Sequence, residues 1–253
     1  MSSMYAFCDR LGLSFRFIMR VLASYPSRRV HVKQILEQIY RLGNETVLII
    51  LVAGSFIGMV ITLQGFTNLA KYGAESEISG LTAYSIYREL APVLTGILVA
   101  GRVGSLLAAE IGMMQINQQF MCLEMLGINA NRLILFPRLL AVIVSMPILN
   151  TLFCLSAIMS SNVVCTVGLG LPEGMFWNSL QYQTLFMLDF MHGLKKSFVF
   201  GIIVAWIALF QGMYTSKDRL GLAHATTTTV VSASLFVLAI DYVITAISGG
   251  VMV

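Results

Sequence analysis

The sequence predicts an all-α, polytopic membrane protein with five transmembrane helices and an N-terminal amphipathic helix in the interface. Three observations carry that expectation. Apolar residues make up 57% of the 253 and charged residues only 11%, with a mean hydropathy of +0.83. Soluble domains run at roughly 45–50% apolar and 25% charged, so the excess must face lipid. The second observation is five separate stretches of near-spanning length. The third is the placement of the charges: seven bases precede Thr46 (Arg10, Arg16, Arg20, Arg28, Arg29, Lys33 and Arg41) against Asp9, Glu37 and Glu45, so this segment holds the whole +4. The composition excludes a disordered chain, a collagen-like chain and a disulfide-framed secreted module. With no basic cluster recurring later, no nucleic-acid partner is expected.

Residues Met4 to Tyr25 alternate apolar and basic positions at helical spacing. Phe7, Leu11, Phe15, Ile18 and Leu22 share one stripe, and Arg16 and Arg20 lie four apart on another. This pattern suits a helix lying among headgroups, apolar side down; the alternative is an ordinary bundle helix. The stretch is not a cleavable signal, because arginines interrupt its apolar run. Pro26 marks a break, and His31 to Leu42 is expected to resume as a short second helix. The chain thus divides into 1–45, interfacial and cytoplasmic, and 46–253, the membrane unit.

A helix crossing a bilayer core needs about 20 mostly apolar residues. The spans are placed at Thr46–Leu63, Ile86–Ala109, Leu133–Val167 with Pro147 inside, Ser197–Gly212 and Val230–Ile247. With the basic N-terminus inside, the cytoplasmic stretches also hold Arg132, Arg138, Lys217 and Arg219, eleven bases in all, against Lys71, Lys195 and Lys196 outside. This bias follows the positive-inside rule and puts the C-terminus outside. Gly54 and Gly58, and the parallel rows Ala100, Gly104, Ala108 and Gly101, Ser105, Ala109, allow close helix approach in lipid. Cys8, Cys122, Cys154 and Cys165 form no ligand spacing, so no metal site is expected and the thiols are read as free and mostly buried.

Ionisable groups within a membrane are costly and are candidates for function. Arg88 and Glu89 open the second span from outside, Lys195 and Lys196 open the fourth, and Asp241 lies in the outward half of the fifth. Topology therefore puts Arg88, Glu89, Lys196 and Asp241 at comparable depth, where two acids and two bases can form a neutral network lining a cavity. The alternative is helix-end charges that snorkel or hold the bundle together. Arg102, near the inner side, is expected to pair with Glu110 or with lipid phosphate. Between the second and third spans, Glu110 to Arg132 is the longest inner polar stretch. Phe120, Met121, Leu123, Glu124 and Met125 suggest a short amphipathic helix closed by Gly127, either a docking surface or interface filler. No phosphate loop, zinc helix or nucleophile elbow is present, and His31, His192 and His224 are scattered. No catalytic residue is assigned, and a pore or permease fits better than an enzyme.

The run Arg88-Glu-Leu-Ala-Pro-Val-Leu-Thr-Gly-Ile-Leu-Val-Ala-Gly-Arg-Val-Gly-Ser-Leu-Leu-Ala-Ala-Glu-Ile-Gly112 resembles the hallmark segment of the MlaE family of permeases. Further matches are Glu124-Met-Leu-Gly-Ile-Asn129, Pro137-Arg138, Lys196-Ser-Phe-Val-Phe200, and Ala225-Thr-Thr-Thr-Thr-Val-Val231 followed by Asp241. The resemblance covers nearly the whole chain. It implies the permease subunit of an ATP-driven transporter that moves phospholipid to maintain outer-membrane asymmetry, in the inner membrane of a Gram-negative bacterium. It further implies a homodimer with lipid in an outward cavity at the dimer interface. The implied partners are an MlaF-type ATPase in trans, an MlaB-type STAS protein and an MlaD-type MCE hexamer. ATP and Mg would be bound by the ATPase and no cofactor by this chain. Tyr72, Arg88, Glu89, Lys196 and Asp241 match the family's cavity and core charges, and Glu110, Asn117, Gln118, Gln119 and Glu124 its coupling region. Two departures stand out: Gln118-Gln119 replaces a frequent Glu-Gln pair, leaving Glu110 and Glu124 as coupling acids, and His224 and Thr228 stand where relatives usually carry Arg. The rival from another class is an ion-coupled secondary transporter using Glu89 and Asp241 as proton sites. A second is a non-transporting scaffold.

Overall fold

The computed structural model of the chain describes residues 2–23, 31–74, 77–172, 174, 176–178, 180, 186–215 and 218–250. Among them there is helix and connecting turn but no strand. The expected break at Pro26, Arg28, Arg29 and Lys217 lie outside the described residues, as do the side chains of Phe7, Cys8, Arg10, Leu11, Leu22 and Arg219.

Helix α1 (Ser2–Ala23) precedes α2 (His31–Leu69), which ends in a 3-10 turn at Ala70–Tyr72. The second span is built from α3 (Ile78–Ser85), α4 (Ala91–Val99) and α5 (Ser105–Ile116), joined by π-helical turns at Ile86–Leu90 and Ala100–Gly104. A short α6 (Gln119–Met125) leads to the third span, which is α7 (Phe136–Val163) flanked by π turns at Asn131–Leu135 and Val164–Gly168. Helices α8 (Phe186–Met213) and α9 (Arg219–Gly250) are the fourth and fifth spans. Five apolar helical stretches are long enough to cross a bilayer, Lys33–Tyr72, Ile78–Ile116, Asn131–Gly168, Leu188–Met213 and Leu220–Ser248, which makes this a multi-pass membrane protein.

Two corrections to the sequence reading concern length. His31 to Leu42 is not a separate helix, because α2 runs unbroken through residues 45 and 46. The second and fourth helices also begin well before Ile86 and Ser197, at Ile78 and Phe186. Arg88, Glu89 and Lys196 therefore sit inside their helices rather than at the mouths. Polar residues such as Ser79 and Asp189 in the first turns hid these starts from a hydropathy criterion, yet both are buried.

Two of the π turns have one physical cause. Proline lacks an N–H, and its ring meets the carbonyl four residues back. Pro92 follows the turn Ile86–Leu90 by one intervening residue, and Pro137 follows Asn131–Leu135 in the same register. In each case the intervening residue bonds five back, Ala91 N–H to Ile86 O and Phe136 N–H to Asn131 O. The wider turn accommodates the proline and re-aims the side chains that precede it.

Close packing follows the small residues. Along α2, Gly54 and Gly58 lie against α7; a methyl group at Gly54 would sit 2.8 Å from Phe153 O, and one at Gly58 would strike Ala157 O. Gly212 of α8 faces Ala108 of α5, where a methyl would be 2.9 Å from the Ala108 carbonyl. Such contacts supply the van der Waals attraction that replaces hydrophobic drive between helices in lipid. The row Ala100, Gly104, Ala108 is thus a packing seam, whereas Gly101 of the parallel row has open space.

Helix α1 docks on the end of α8. Trp206 Nε1 donates to Ser14 O at 3.1 Å, and Phe17 meets Phe210 and Tyr214 edge-on at 6.0 and 6.1 Å between centroids. Ile18, expected on the lipid stripe with Phe15, is instead buried with Phe17 and Val21 against the bundle, while Phe15 and Met19 stay exposed. Both readings of this helix are therefore half realised: one face packs on protein and the other is free to meet lipid.

Candidate functional site

Among the described residues the buried charges form three groups. The first joins the second, fourth and fifth spans. Lys196 Nζ donates to Glu89 Oε2 at 2.6 Å, to Asp241 Oδ1 at 2.9 Å and to Thr245 Oγ1 at 2.8 Å. Thr245 in turn donates to Glu89 Oε2 at 3.2 Å. All three N–H donors of the ammonium are thereby used. Lys196 has 4% of its side chain exposed and Asp241 18%, whereas Glu89 keeps 35%, so the cluster meets its surroundings through the Glu89 carboxylate. One cation faces two carboxylates, giving a charge of −1 when all three are ionised.

Arg88 is not part of this cluster, which corrects the expected four-member neutral network. Neighbouring helical residues point roughly 100° apart, and Arg88 turns toward Asp189, with Nη1 3.8 Å from Oδ1 and the guanidinium 5.3 Å from the Tyr84 ring centre. Both residues of this pair are buried. The π turn Ile86–Leu90 carries Arg88 and Glu89 together, so the local backbone that accommodates Pro92 also sets their directions. Tyr72 stands apart, 85% exposed on the turn that ends the first span.

At the other end of the bundle, Glu110 is held by two arginines. Its Oε1 is 2.7 Å from Arg41 and its Oε2 3.1 Å from Arg138, tying the first, second and third spans together. Arg138 Nη1 also approaches Met114 Sδ at 3.5 Å. Arg102, expected on Glu110 or on lipid phosphate, pairs instead with Glu45 at 2.9 Å. Glu110 is not its partner because α2 runs unbroken toward its N-terminus and brings Glu45 and Arg41 alongside the second span.

The short amphipathic helix is present as α6. Asn117 and Gln118 form an exposed turn before it and the exposed Gln119 opens it, with Gln118 in the left-handed region at φ 56°. Its end is closed by Gly127 at φ 72°, where Ile128 N–H bonds Leu123 O and Gly127 N–H bonds Glu124 O, a Schellman arrangement. Phe120 is buried as the anchor, while Met121, Met125, Leu126 and Ile128 are exposed and Glu124 is exposed beside them. Cys122 is exposed on the same helix, because α6 presents only one face to the bundle, whereas Cys154 and Cys165 are free and buried as expected.

Asp189, Thr245 and Arg41 were missed by sequence reasoning, although spacing held a signal. Asp189 is seven residues before Lys196 and Thr245 four after Asp241, so each shares a helical face with a residue already singled out.

An all-α, five-span bundle with a buried lysine–carboxylate cluster toward one end and an amphipathic loop helix at the other has the build of a transporter's membrane subunit. The chain belongs to the permease MlaE family, whose model matches residues 35–247. The intermembrane phospholipid transport system permease protein MlaE of Haemophilus influenzae is 39% identical over 244 residues, covering 96% of this chain and 94% of that one. A probable ABC transporter permease protein of Synechocystis is 35% identical over 227 residues (90% and 86%), and one of Rickettsia bellii is 32% identical over 229 (90% and 88%).

Proposed function

We propose that this chain is the permease subunit of an ATP-driven phospholipid transporter, with hydrolysis carried by a separate subunit. Membership of the MlaE family supports the class, and a phospholipid transport permease is among its relatives. The observation that carries the mechanism is the exposed methionine face of α6, placed between the second and third spans, with the Arg41–Glu110–Arg138 clamp joining the first three spans. A force applied to α6 by an ATPase would move the inner ends of three spans as one body. The motion reaches the Lys196 cluster along the second span, whose outer half holds Glu89. ATP binding must favour one cavity shape over the other for this to do work.

In this reading the N-terminus is cytoplasmic, the C-terminus periplasmic and the membrane the inner one of a Gram-negative cell. Lipid occupies an outward cavity between two copies of the chain. Only 11% of the most apolar window of the fifth span is buried within the monomer, and Val231, Leu235 and Tyr242 are exposed along it, which supports a second copy or lipid against that helix. The Glu89 carboxylate lies at the headgroup end, Tyr72 flanks the cavity, and an MlaF-type ATPase, an MlaB-type STAS protein and an MlaD-type hexamer complete the assembly. Co-reconstitution with the ATPase should give vanadate-sensitive transfer of labelled phospholipid. Transfer driven by a proton gradient without nucleotide would overturn the proposal in favour of an ion-coupled carrier.

A further inference from the structure

A second polar site lies at the end of the bundle opposite Lys196. It is a pocket of about 150 Å³ between the first turns of α2 and the start of the third span. Gln34, Glu37, Gln38 and Arg138 make its polar wall, and Leu133 and Ile134 its apolar one. Gln34 and Gln38 are four residues apart and share one helical face. The side-chain oxygens of both are buried and have no hydrogen-bond donor, an arrangement that proteins avoid unless something else supplies the partner. Arg138, only 7% exposed, shares the single carboxylate of Glu110 with Arg41, so two guanidinium groups face one acid. Its Nη1 is directed at the thioether of Met114, a weak acceptor.

The pocket therefore offers an under-neutralised cation on one side and a carboxylate with two amide groups on the other. That polarity fits a small zwitterion, with an anionic oxygen at Arg138 and a primary ammonium at Glu37 and the glutamine oxygens. We propose that the pocket binds the phosphoethanolamine headgroup of a membrane phospholipid. Its place in the fold supports a lipid source. Glu110 follows Glu89 by 21 residues on the second span, about 30 Å at 1.5 Å per residue, which is the thickness of a bilayer's hydrocarbon core. Glu110 stands six residues before the end of the second span at Ile116, about 9 Å at 1.5 Å per residue, so the pocket beside its clamp lies near the end of the bundle where a lipid headgroup would sit. Leu133 and Ile134 supply an apolar side against which the start of an acyl chain could lie. The assignment needs the chain to lie in a bilayer and does not depend on ATP-driven transport.

The test uses the full chain purified in detergent without an ATPase and measures lipid retained from an equal mixture of dioleoyl phosphatidylethanolamine, phosphatidylcholine and phosphatidylglycerol by native mass spectrometry. Phosphatidylcholine keeps the phosphate but has no N–H to donate, and phosphatidylglycerol has no amine. Ethanolamine lipid should be retained roughly fivefold over choline lipid, the ratio expected for about one net hydrogen bond. The double substitution Gln34→Leu, Gln38→Leu should abolish that preference while thermal unfolding is unchanged or raised, since it removes two unpartnered polar groups. Glu37→Gln should weaken the preference, and Gly101→Ala, which meets open space away from both polar sites, should leave it intact. Equal retention of ethanolamine and choline lipids would overturn the proposal, as would a double variant that keeps the parent's preference. Displacement of bound lipid by free phosphoethanolamine or inorganic phosphate at millimolar level would overturn the lipid source in favour of a soluble phosphate compound.

Discussion

Lys196 of the fourth span lies 2.6 Å from the Glu89 carboxylate of the second, across 107 residues of sequence, and it also holds Asp241 of the fifth at 2.9 Å. A single ammonium thus joins three transmembrane helices. Removing one partner of a buried ion pair costs far more than replacing all partners with neutral groups, because the remaining charge is left unpaired. Lys196→Met should therefore destabilise the protein by about 3 kcal/mol. The triple variant Lys196→Met, Glu89→Gln, Asp241→Asn should recover most of that loss while lipid transfer stays impaired. Thermal unfolding in detergent and transfer between vesicles check the two halves separately; equal stability of the single and triple variants would exclude a charge-pairing role.

The clamp around Glu110 is asymmetric, and its variants should be too. Arg41 is 54% exposed in its pair and Arg138 only 8%. Arg41→Ala should cost less than about 1 kcal/mol, as exposed pairs do. Glu110→Ala leaves Arg138 buried without its carboxylate and should cost about 3 kcal/mol. Unfolding midpoints measured side by side decide this ordering.

At the seam between the first and third spans, a side chain on Gly58 would run into the Ala157 backbone. Gly58→Leu should abolish stable expression, whereas Gly101→Ala, which meets open space, should behave as the parent does. Folded yield from detergent extracts distinguishes the two positions.

The methionines of α6 are exposed at 52% for Met121 and 79% for Met125. Met121→Asp with Met125→Asp should therefore leave the unfolding midpoint within about 0.5 kcal/mol of the parent. The same variant should lose the ATPase on co-purification, because two carboxylates on an apolar docking face are costly to desolvate. Retention of the ATPase by this variant would rule out α6 as its contact.

Cys122 is exposed, while Cys154 and Cys165 are buried. With Cys8 replaced by Ser, a membrane-impermeant maleimide should modify Cys122 quickly in inverted vesicles and leave it unmodified in intact spheroplasts. The reverse pattern would invert the proposed topology.

Much of the architecture was legible in the residues. Five apolar stretches near spanning length predict five spans because every backbone N–H and C=O in hydrocarbon must be satisfied within its own helix. Gly127 predicts the end of α6 because its turn needs a left-handed residue. Gly54 and Gly58 predict a close seam, though not which helix fills it.

Composition and periodicity, then, determined the class of protein, the number of spans and the residues too costly to bury without purpose. Tertiary structure alone decided their partners. Arg88 and Glu89 are adjacent in sequence yet serve different acids and bases, Asp189 and Lys196, because helical rotation and a π turn send neighbouring side chains apart. Glu110 meets Arg41 and Arg138 rather than Arg102, because an unbroken α2 carries Arg41 alongside the second span. Pairing depends on the rotation and depth of each helix relative to the others, and those are set by contacts among residues far apart in the chain, which hydropathy along one segment does not encode.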